Sequence, residues 1–336
     1  MGIVVLSKSD VQKVISLEQT IADVENVYGM KAKGETVVWP LVSHDFEEQK
    51  AVMDIRSGYV AGKKVHGAKM LNNFPGNLAK GLPNFTGMMM VFDSETGLPM
   101  GVMDASYITC MRTGAAGGLG VKYLAAENAE NLLMLGAGNQ SAFLIGASAY
   151  LKPGIKTVFI HDPLSAENAE KAAAALPERL RDEFGLKLNL TFKAEKSLEE
   201  ATRNSQIVLT ATRSCQPLIK KEWVAPGTHF SCIGADMEGK EEIDPAIFKG
   251  AKIYADDIDQ CVRVGEMELA IKQGFITKTD IAGEIGELVL GTKPGRESKN
   301  DITIFDATGL ALLDLAVAGT IIEEAKKKSI GTTVDI

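Results

Sequence analysis

Cysteine, histidine and tryptophan are scarce in this chain: four, four and two among 336 residues. Cys110, Cys215, Cys232 and Cys261 stand far apart, without the short paired spacing of a thiolate metal site or a disulfide framework. That pattern suits free thiols in a reducing compartment, and a cytoplasmic location is expected. The histidines are equally scattered, so no metal centre is expected. Long apolar runs are missing as well. No segment approaches the length of a membrane span, and the apolar stretch Ile3 to Leu6 is too short for a signal peptide. Met1-Gly2 fits an N-myristoylation start, but Leu6 stands where that motif needs a hydroxyl. An excess of positive charge is also absent. Acidic residues outnumber basic ones 44 to 36, for a net charge of −8, with no lysine-arginine cluster. Nucleic acid and anionic membrane are thereby excluded as expected partners.

What the chain does have is an ordinary globular balance, 45% hydrophobic and 24% charged, over a length that favours two domains. Its most informative stretch runs from Asn131 to Ser141. The apolar run Leu132–Leu135 ends in Gly136-Ala137-Gly138, and a helix-forming segment from Ser141 to Leu151 follows. Strand, tight glycine turn and helix in that order are what a dinucleotide pyrophosphate needs: Gly136 permits the turn, Gly138 lets backbone approach phosphate, and the helix N-terminus offers free N–H groups. A second apolar run, Thr157–Ile160, ends at His161-Asp162. A carboxylate there accepts from ribose hydroxyls and repels a 2′-phosphate, so Asp162 favours NAD(H) over NADP(H). The motif departs from its usual form in one place, with Ser141 where a third glycine is common.

The rest of the pattern separates into two styles. Residues 8–33 are predicted as one amphipathic helix on the spacing of Val11, Val14, Ile15, Ile21, Val24 and Val27. Short extended segments follow at Thr36–Val42, Ala51–Ile55, Val65–Leu71, Thr86–Phe92 and Leu98–Asp104, then a helix from about Ala105. From Asn131 strands and helices alternate, with further strands expected at Leu188–Phe192, Ile207–Thr210, His229–Ile233, Lys252–Ala255 and Ile302–Phe305. Alternation of this kind implies a parallel sheet covered on both faces. The apolar helix Leu310 to Lys328 returns to the first style. The expected architecture is therefore α/β, a Rossmann-type dinucleotide-binding domain (123–308) inserted in a discontinuous α+β domain for substrate binding and dimerisation (1–122 and 309–336).

Three residues outside the glycine turn are candidates for chemistry, each with a bland alternative. Lys69 lies toward the end of an apolar strand, as a ligand for an anion or as a solvated strand-end lysine. Arg112 sits among small residues, Thr113-Gly114-Ala115, where a large cation needs an anion nearby or else faces water. Asp236 follows the strand from His229 and Gly234-Ala235, at the carboxyl end where open parallel sheets bind ligands. There it is either an acid–base group or an ordinary loop aspartate.

Taken in order, several motifs resemble the ornithine cyclodeaminase/mu-crystallin family, its archaeal alanine dehydrogenase branch especially. They are Lys69 with Gly81-Leu82-Pro83, Met103-Asp104-Ala105, Met111-Arg112-Thr113-Gly114-Ala115, Gly136-Ala137-Gly138-Asn139-Gln140, Gly234-Ala235-Asp236, Gly283-Glu284-Ile285-Gly286-Glu287, Gly295-Arg296-Glu297-Ser298 and Phe305-Asp306-Ala307-Thr308-Gly309. The resemblance spans about residues 65 to 320. It implies a homodimer with one dinucleotide per subunit, Lys69 and Arg112 gripping a substrate carboxylate, and Asp236 as catalytic acid–base. It also implies cofactor contacts at Arg112, Thr113, Gly136, Gly138, Asn139, Gln140, Asp162, Thr212, Ile233, Gly234, Ala235 and Lys240. Departures fall on the substrate side. Asn84 replaces the usual Thr after Gly-Leu-Pro, Ala307 the usual Ser, and Asp54 the Pro after Met53. The third charged residue expected in the early strands is matched to Ala51 and reads as missing, as does a cation after Pro40. The leading expectation is an NAD-dependent amino-acid dehydrogenase or imino-acid reductase on a small amino or imino acid. Behind it stand a cyclodeaminase with recycled NAD and a non-catalytic crystallin-like binder.

Overall fold

Ser16 interrupts the first helical repeat. In the computed structural model, which describes residues 2–335, helix α1 (Lys8–Val14) stops at Ile15 in extended backbone, and α2 (Leu17–Ala32) starts afresh. The Ser16 hydroxyl accepts from the backbone N–H of Gln19 at 3.2 Å, satisfying a donor that has no partner within the helix. The single expected helix is thus two, because a capping serine competes with helix continuation.

Around them lie β1 (Gly2–Leu6), β2 (Thr36–Val38), β3 (Val42–Phe46), β4 (Ala51–Val60), β5 (Val65–Asn73), β6 (Phe85–Asp93) and β7 (Pro99–Asp104). The strand expected over Thr36–Val42 splits into β2 and β3 around Pro40, which has no N–H for a ladder. Helix α3 (Ser106–Leu124) follows.

From there the chain builds β8 (Asn131–Leu135), α4 (Gln140–Leu151), β9 (Thr157–His161), α5 (Ala166–Phe184), β10 (Thr191–Ala194), α6 (Leu198–Arg203), β11 (Ile207–Thr210), β12 (Cys215–Ile219), β13 (His229–Cys232), β14 (Glu241–Ile243), β15 (Lys252–Ala255), α7 (Ile258–Val264), α8 (Met267–Lys272), β16 (Ile281–Glu284), α9 (Ile285–Val289) and β17 (Thr303–Asp306). Eight of these strands form one all-parallel sheet in the order β10-β9-β8-β11-β13-β17-β15-β16. Alternate residues enter separate cores. Leu133, Leu135, Val208, Phe230 and Ile304 pack on one face, and Leu132, Met134, Val158, Ile160 and Leu209 on the other. A strand buried on both faces has to be apolar throughout, which is why these runs are continuous rather than alternating. Strands β12, β14 and β16 have no such signal and were not expected.

The chain closes with α10 (Ala311–Lys328) and β18 (Thr332–Asp335). β18 pairs with β1 in a mixed eight-stranded sheet, β18-β1-β7-β6-β5-β4-β2 with β3 alongside β4, in which only β1 and β7 run parallel. α10 crosses β4 and β5, where its Leu312 and Leu315 rest on Gly58 and Gly67. The two compact units are Met1–Arg112 with Leu310–Ile336, and Thr113–Gly309, and the boundary falls inside α3. The fold is α/β, with an all-parallel Rossmann-like sheet inserted in sequence between the parts of a mixed sheet. Among the described residues, no helix is long and apolar enough to cross a membrane.

Candidate active site

The glycine turn has the geometry its sequence implies. Gly136 holds φ at +105°, and a Cβ there would meet the carbonyl oxygen of Ala211 at 2.9 Å, so any side chain is both strained and crowded. A Cβ at Gly138 would meet nothing within 4 Å, which leaves room for a ligand at the turn. Asn139 precedes α4 in helical backbone, and Gln140 opens the helix with its Oε1 buried and without a hydrogen-bond partner. Ser141 substitutes for the third glycine by turning inward: it is buried, and its hydroxyl donates to Gly138 O at 2.7 Å. Close packing is instead supplied by α3, where a Cβ on Gly114 would lie 2.6 Å from the Phe143 carbonyl of α4. Thr113, beside it, is buried. Open space at Gly138 and a helix N-terminus together fit a dinucleotide phosphate, while the orphaned Gln140 oxygen is free to accept from a ligand hydroxyl or amide.

Asp162 follows β9 directly. Its Oδ2 accepts from Ala137 N at 3.0 Å, within the glycine turn, while Oδ1 accepts from Leu164 N, Ser165 N and Asn168 Nδ2 at 3.1–3.3 Å. The carboxylate is therefore more occupied by protein than the sequence suggests, with lone-pair capacity left on Oδ2. Burial pushes its pKa up, but the donors of Ala137, Asn168, Leu164 and Ser165 outweigh burial and hold it below the ordinary carboxylate range.

Two further loops converge on a residue that sequence reasoning missed. Fully buried Glu242, in β14, accepts from Thr212 N (2.6 Å) beyond β11 and from Gly234 N (3.0 Å) beyond β13. One carboxylate thus fixes both loops that carry expected cofactor contacts. Glu266, also buried, accepts from the backbone N–H of Glu242 and Ile243 at 2.7 Å each. Its sequence signal was weak, because Glu241-Glu242 lies in a charged stretch with Asp236, Glu238, Lys240 and Asp244. Beyond Gly234, Ala235 is buried and Ile233 partly so, while Asp236 is half-buried and pairs with Lys240, Oδ1 to Nζ 2.5 Å. Lys240 also donates to Gly234 O at 3.3 Å, so the expected acid–base residue and the expected cofactor lysine share one turn.

In the other unit, β5 runs past Lys69 to Asn73, and Lys69 is completely buried rather than solvated at a strand end. Its Nζ lies 2.7 Å from Asp314 Oδ2, in ion-pair contact though off the hydrogen-bond direction, and 3.3 Å from Thr109 Oγ1. Arg112 Nε reaches the same carboxylate at 3.3 and 3.4 Å. Thr109 also lies 3.2 Å from Asp314 Oδ1. Asp314, on α10, is the anion that Arg112 required. An acid inside the apolar run from Ala311 to Ala318 was its sequence signal. Burial pushes Asp314 up, but Arg112 and Lys69 prevail and hold it below the ordinary range. Burial, aided by Arg112 and Arg56, lowers Lys69 from 10.5 to about 7 against the pull of Asp314.

A third cation nevertheless lies beside Lys69: Arg56 is its direct cross-strand partner in the β4–β5 register, and so shares its face. Ala51 stands at the other end of β4, paired with Phe46 of β3. Arg56 Nη2 donates to Asp54 Oδ2 at 3.3 Å, and its Nε is buried without a partner.

Comparison with known proteins gives concordant results. A family model described as the ornithine cyclodeaminase/mu-crystallin family matches residues 2–329. The chain is 37% identical over 336 residues to an alanine dehydrogenase of Archaeoglobus fulgidus, covering 99% of this chain and 98% of that one. It is 32% identical over 334 residues to an iminosuccinate reductase of Paracoccus denitrificans, covering 99% of both. A solved archaeal alanine dehydrogenase dimer with bound NAD superposes with a TM-score of 0.91 at 36% identity, covering all of both chains.

Proposed function

The chain belongs to the ornithine cyclodeaminase/mu-crystallin family, and from that premise we propose that it is an NAD(H)-linked oxidoreductase acting on a small amino or imino acid. The observation that carries this reading is the buried trio Lys69, Arg112 and Asp314: two cations held around one internal carboxylate, with positive charge left over for a substrate carboxylate. Arg112 presents a planar fork suited to a carboxylate, and Lys69 a compact point charge.

NAD(H) would be held at Gly136, Gly138, Asn139, Gln140, Asp162, Thr212, Ile233, Gly234, Ala235 and Lys240, with Arg112 and Thr113, which precede Gly114 where α3 packs on α4, as further contacts. When bound it supplies the hydride donor or acceptor. Lys69 and Arg112 orient the α-carboxylate, so that the α-carbon is presented in one pose. Asp236 takes and returns the proton at the substrate nitrogen or at water, and Lys240 holds its carboxylate in place. Glu242 sets the two cofactor loops by accepting a backbone N–H from each.

A cyclodeaminase must accept a second ammonium on the substrate side chain. Arg56, beside Lys69, is a cation where such a side chain needs an anion, which disfavours that reaction. Self-association through the mixed sheet is part of the same proposal. Met70, Met88 and Met90 are exposed together on its outer face, opposite Lys69, and the archaeal relative was solved as a dimer. The test of function is a substrate panel: NADH, ammonia and 2-oxo acids in one direction, NAD and amino acids in the other. Net NADH consumption with an oxo acid and ammonia supports the proposal. Ammonia release without net change in NADH refutes it in favour of the cyclodeaminase.

A further inference from the structure

The charged residues on the α10-facing side of β4 and β5 form a nearly closed set. Asp54, Arg56 and Lys69 share that face by register, and Arg112 and Asp314 meet Lys69 from α3 and α10. Positive charges are Arg56, Lys69 and Arg112; negative charges are Asp54 and Asp314. One positive charge is therefore unmatched. The Arg56 and Asp54 side chains are 18% and 19% exposed, and Lys69 and Asp314 are fully buried, so water screens these charges poorly. Asp54 is itself held in place: the Ser43 hydroxyl of β3 donates to its Oδ1 at 2.7 Å while its Oδ2 accepts from Arg56. Asp45, on the same face of β3 by register, is exposed, so water screens its charge and it does not enter the buried balance.

We propose that this arrangement selects a substrate with a single carboxylate and an uncharged side chain, and that Asp54 is the specificity-determining residue, occupying Arg56 against a second carboxylate. One substrate carboxylate balances the unmatched charge. A second would leave an uncompensated negative charge in a poorly hydrated cluster, unless it displaced Asp54 from a pair already closed by Ser43. Rejection by an occupied partner is the repulsive half of specificity. Arg56 lies directly across from Lys69 in the β4–β5 register, and Lys69 and Arg112 share Asp314, so the three cations form one cluster.

The inference rests on the oxidoreductase reading, and its test separates the two. Catalytic efficiency is measured with NADH and ammonia on pyruvate and 2-oxobutyrate against freshly prepared oxaloacetate and 2-oxoglutarate. The native enzyme is expected to favour the monocarboxylates by about tenfold or more, worth about 1.4 kcal/mol. Asp54→Asn, which keeps size but frees Arg56, is expected to shift the ratio about tenfold toward the dicarboxylates by raising their efficiency. Ser43→Ala, a milder release of Asp54, should move it in the same direction by less. NADH affinity by fluorescence checks that the variants are folded. A native preference for dicarboxylates, or a ratio unchanged in both variants, overturns this inference alone. Turnover of none of these acids, together with no NADH formed from NAD and the amino acids of the panel above, overturns the oxidoreductase reading and this inference with it.

Discussion

Asp314→Asn isolates the one carboxylate on which two buried cations depend. The variant keeps the shape, but it exchanges one acceptor oxygen for a donor and removes the charge that faces Lys69 at 2.7 Å and Arg112 at 3.3 Å. Removing one partner of a buried ion pair costs about 3–5 kcal/mol, because the other charge stays behind uncompensated. Lys69 can escape by losing its proton, whereas Arg112 cannot. Already lowered from 10.5 to about 7, Lys69 loses in Asp314 the group that pulls its pKa upward, and so falls further. The sign of the pH dependence follows. A folded-state pKa below the unfolded one means that the unfolded chain binds more protons over the window between them, so this group's contribution to stability rises with pH from about 7 toward 10.5. In the variant the window opens at a lower pH. Its deficit relative to the native protein should therefore be larger at pH 6, where the native Lys69 carries its proton, than at pH 9, where both are largely neutral. Urea unfolding followed by tryptophan fluorescence at both pH values measures it. A deficit below about 1 kcal/mol at pH 6, or one that grows toward pH 9, would refute the account of this cluster.

Other consequences are independent of that one. Ionised Asp162 beside a ribose 2′-phosphate should make NADH bind at least about tenfold tighter than NADPH, worth about 1.4 kcal/mol, and calorimetric titration giving equal affinities contradicts it. Lys69→Ala and Arg112→Ala should each lower catalytic efficiency by roughly a hundredfold, about 2.7 kcal/mol, and native efficiency in both would put the carboxylate elsewhere. Asp236→Asn should keep NADH affinity while turnover collapses, and a variant with most of its turnover removes Asp236 from proton transfer. Glu242→Gln exchanges one acceptor for a donor between two N–H groups, so NADH affinity should fall about tenfold with substrate binding less affected, a split readable in the separate KM values.

The sequence was most legible where local chemistry decides structure. The Gly136 turn, the continuous apolar strands beside it and the following helix depend on near neighbours and on burial on both faces. What escaped were relations across long sequence distance. The break at Ser16 depends on a cap that competes with a good helical repeat. β1 finds its antiparallel partner in β18 at the opposite end of the chain. Asp54, Arg56 and His44 stood out as possible readers of a substrate side chain, but the closeness of Arg56 to Lys69 was hidden, because only the β4–β5 register puts the two together. Asp314 was hidden because an apolar helix hides one acid well, although that acid had to be paired with something. Glu242 was missed for a different reason: it sits among other charged residues, and its partners are backbone groups in loops after two other strands.

The central claim is that a hydride passes between nicotinamide and the α-carbon of an amino or imino acid on this protein. Incubation with NADH carrying deuterium at both nicotinamide C4 positions, ammonia and the preferred 2-oxo acid tests it most directly, with the amino-acid product read by mass spectrometry. The account predicts one deuterium on the product's α-carbon in proportion to the NADH oxidised. Amino acid formed without deuterium, or ammonia released from an amino acid while the labelled NADH stays reduced, contradicts it.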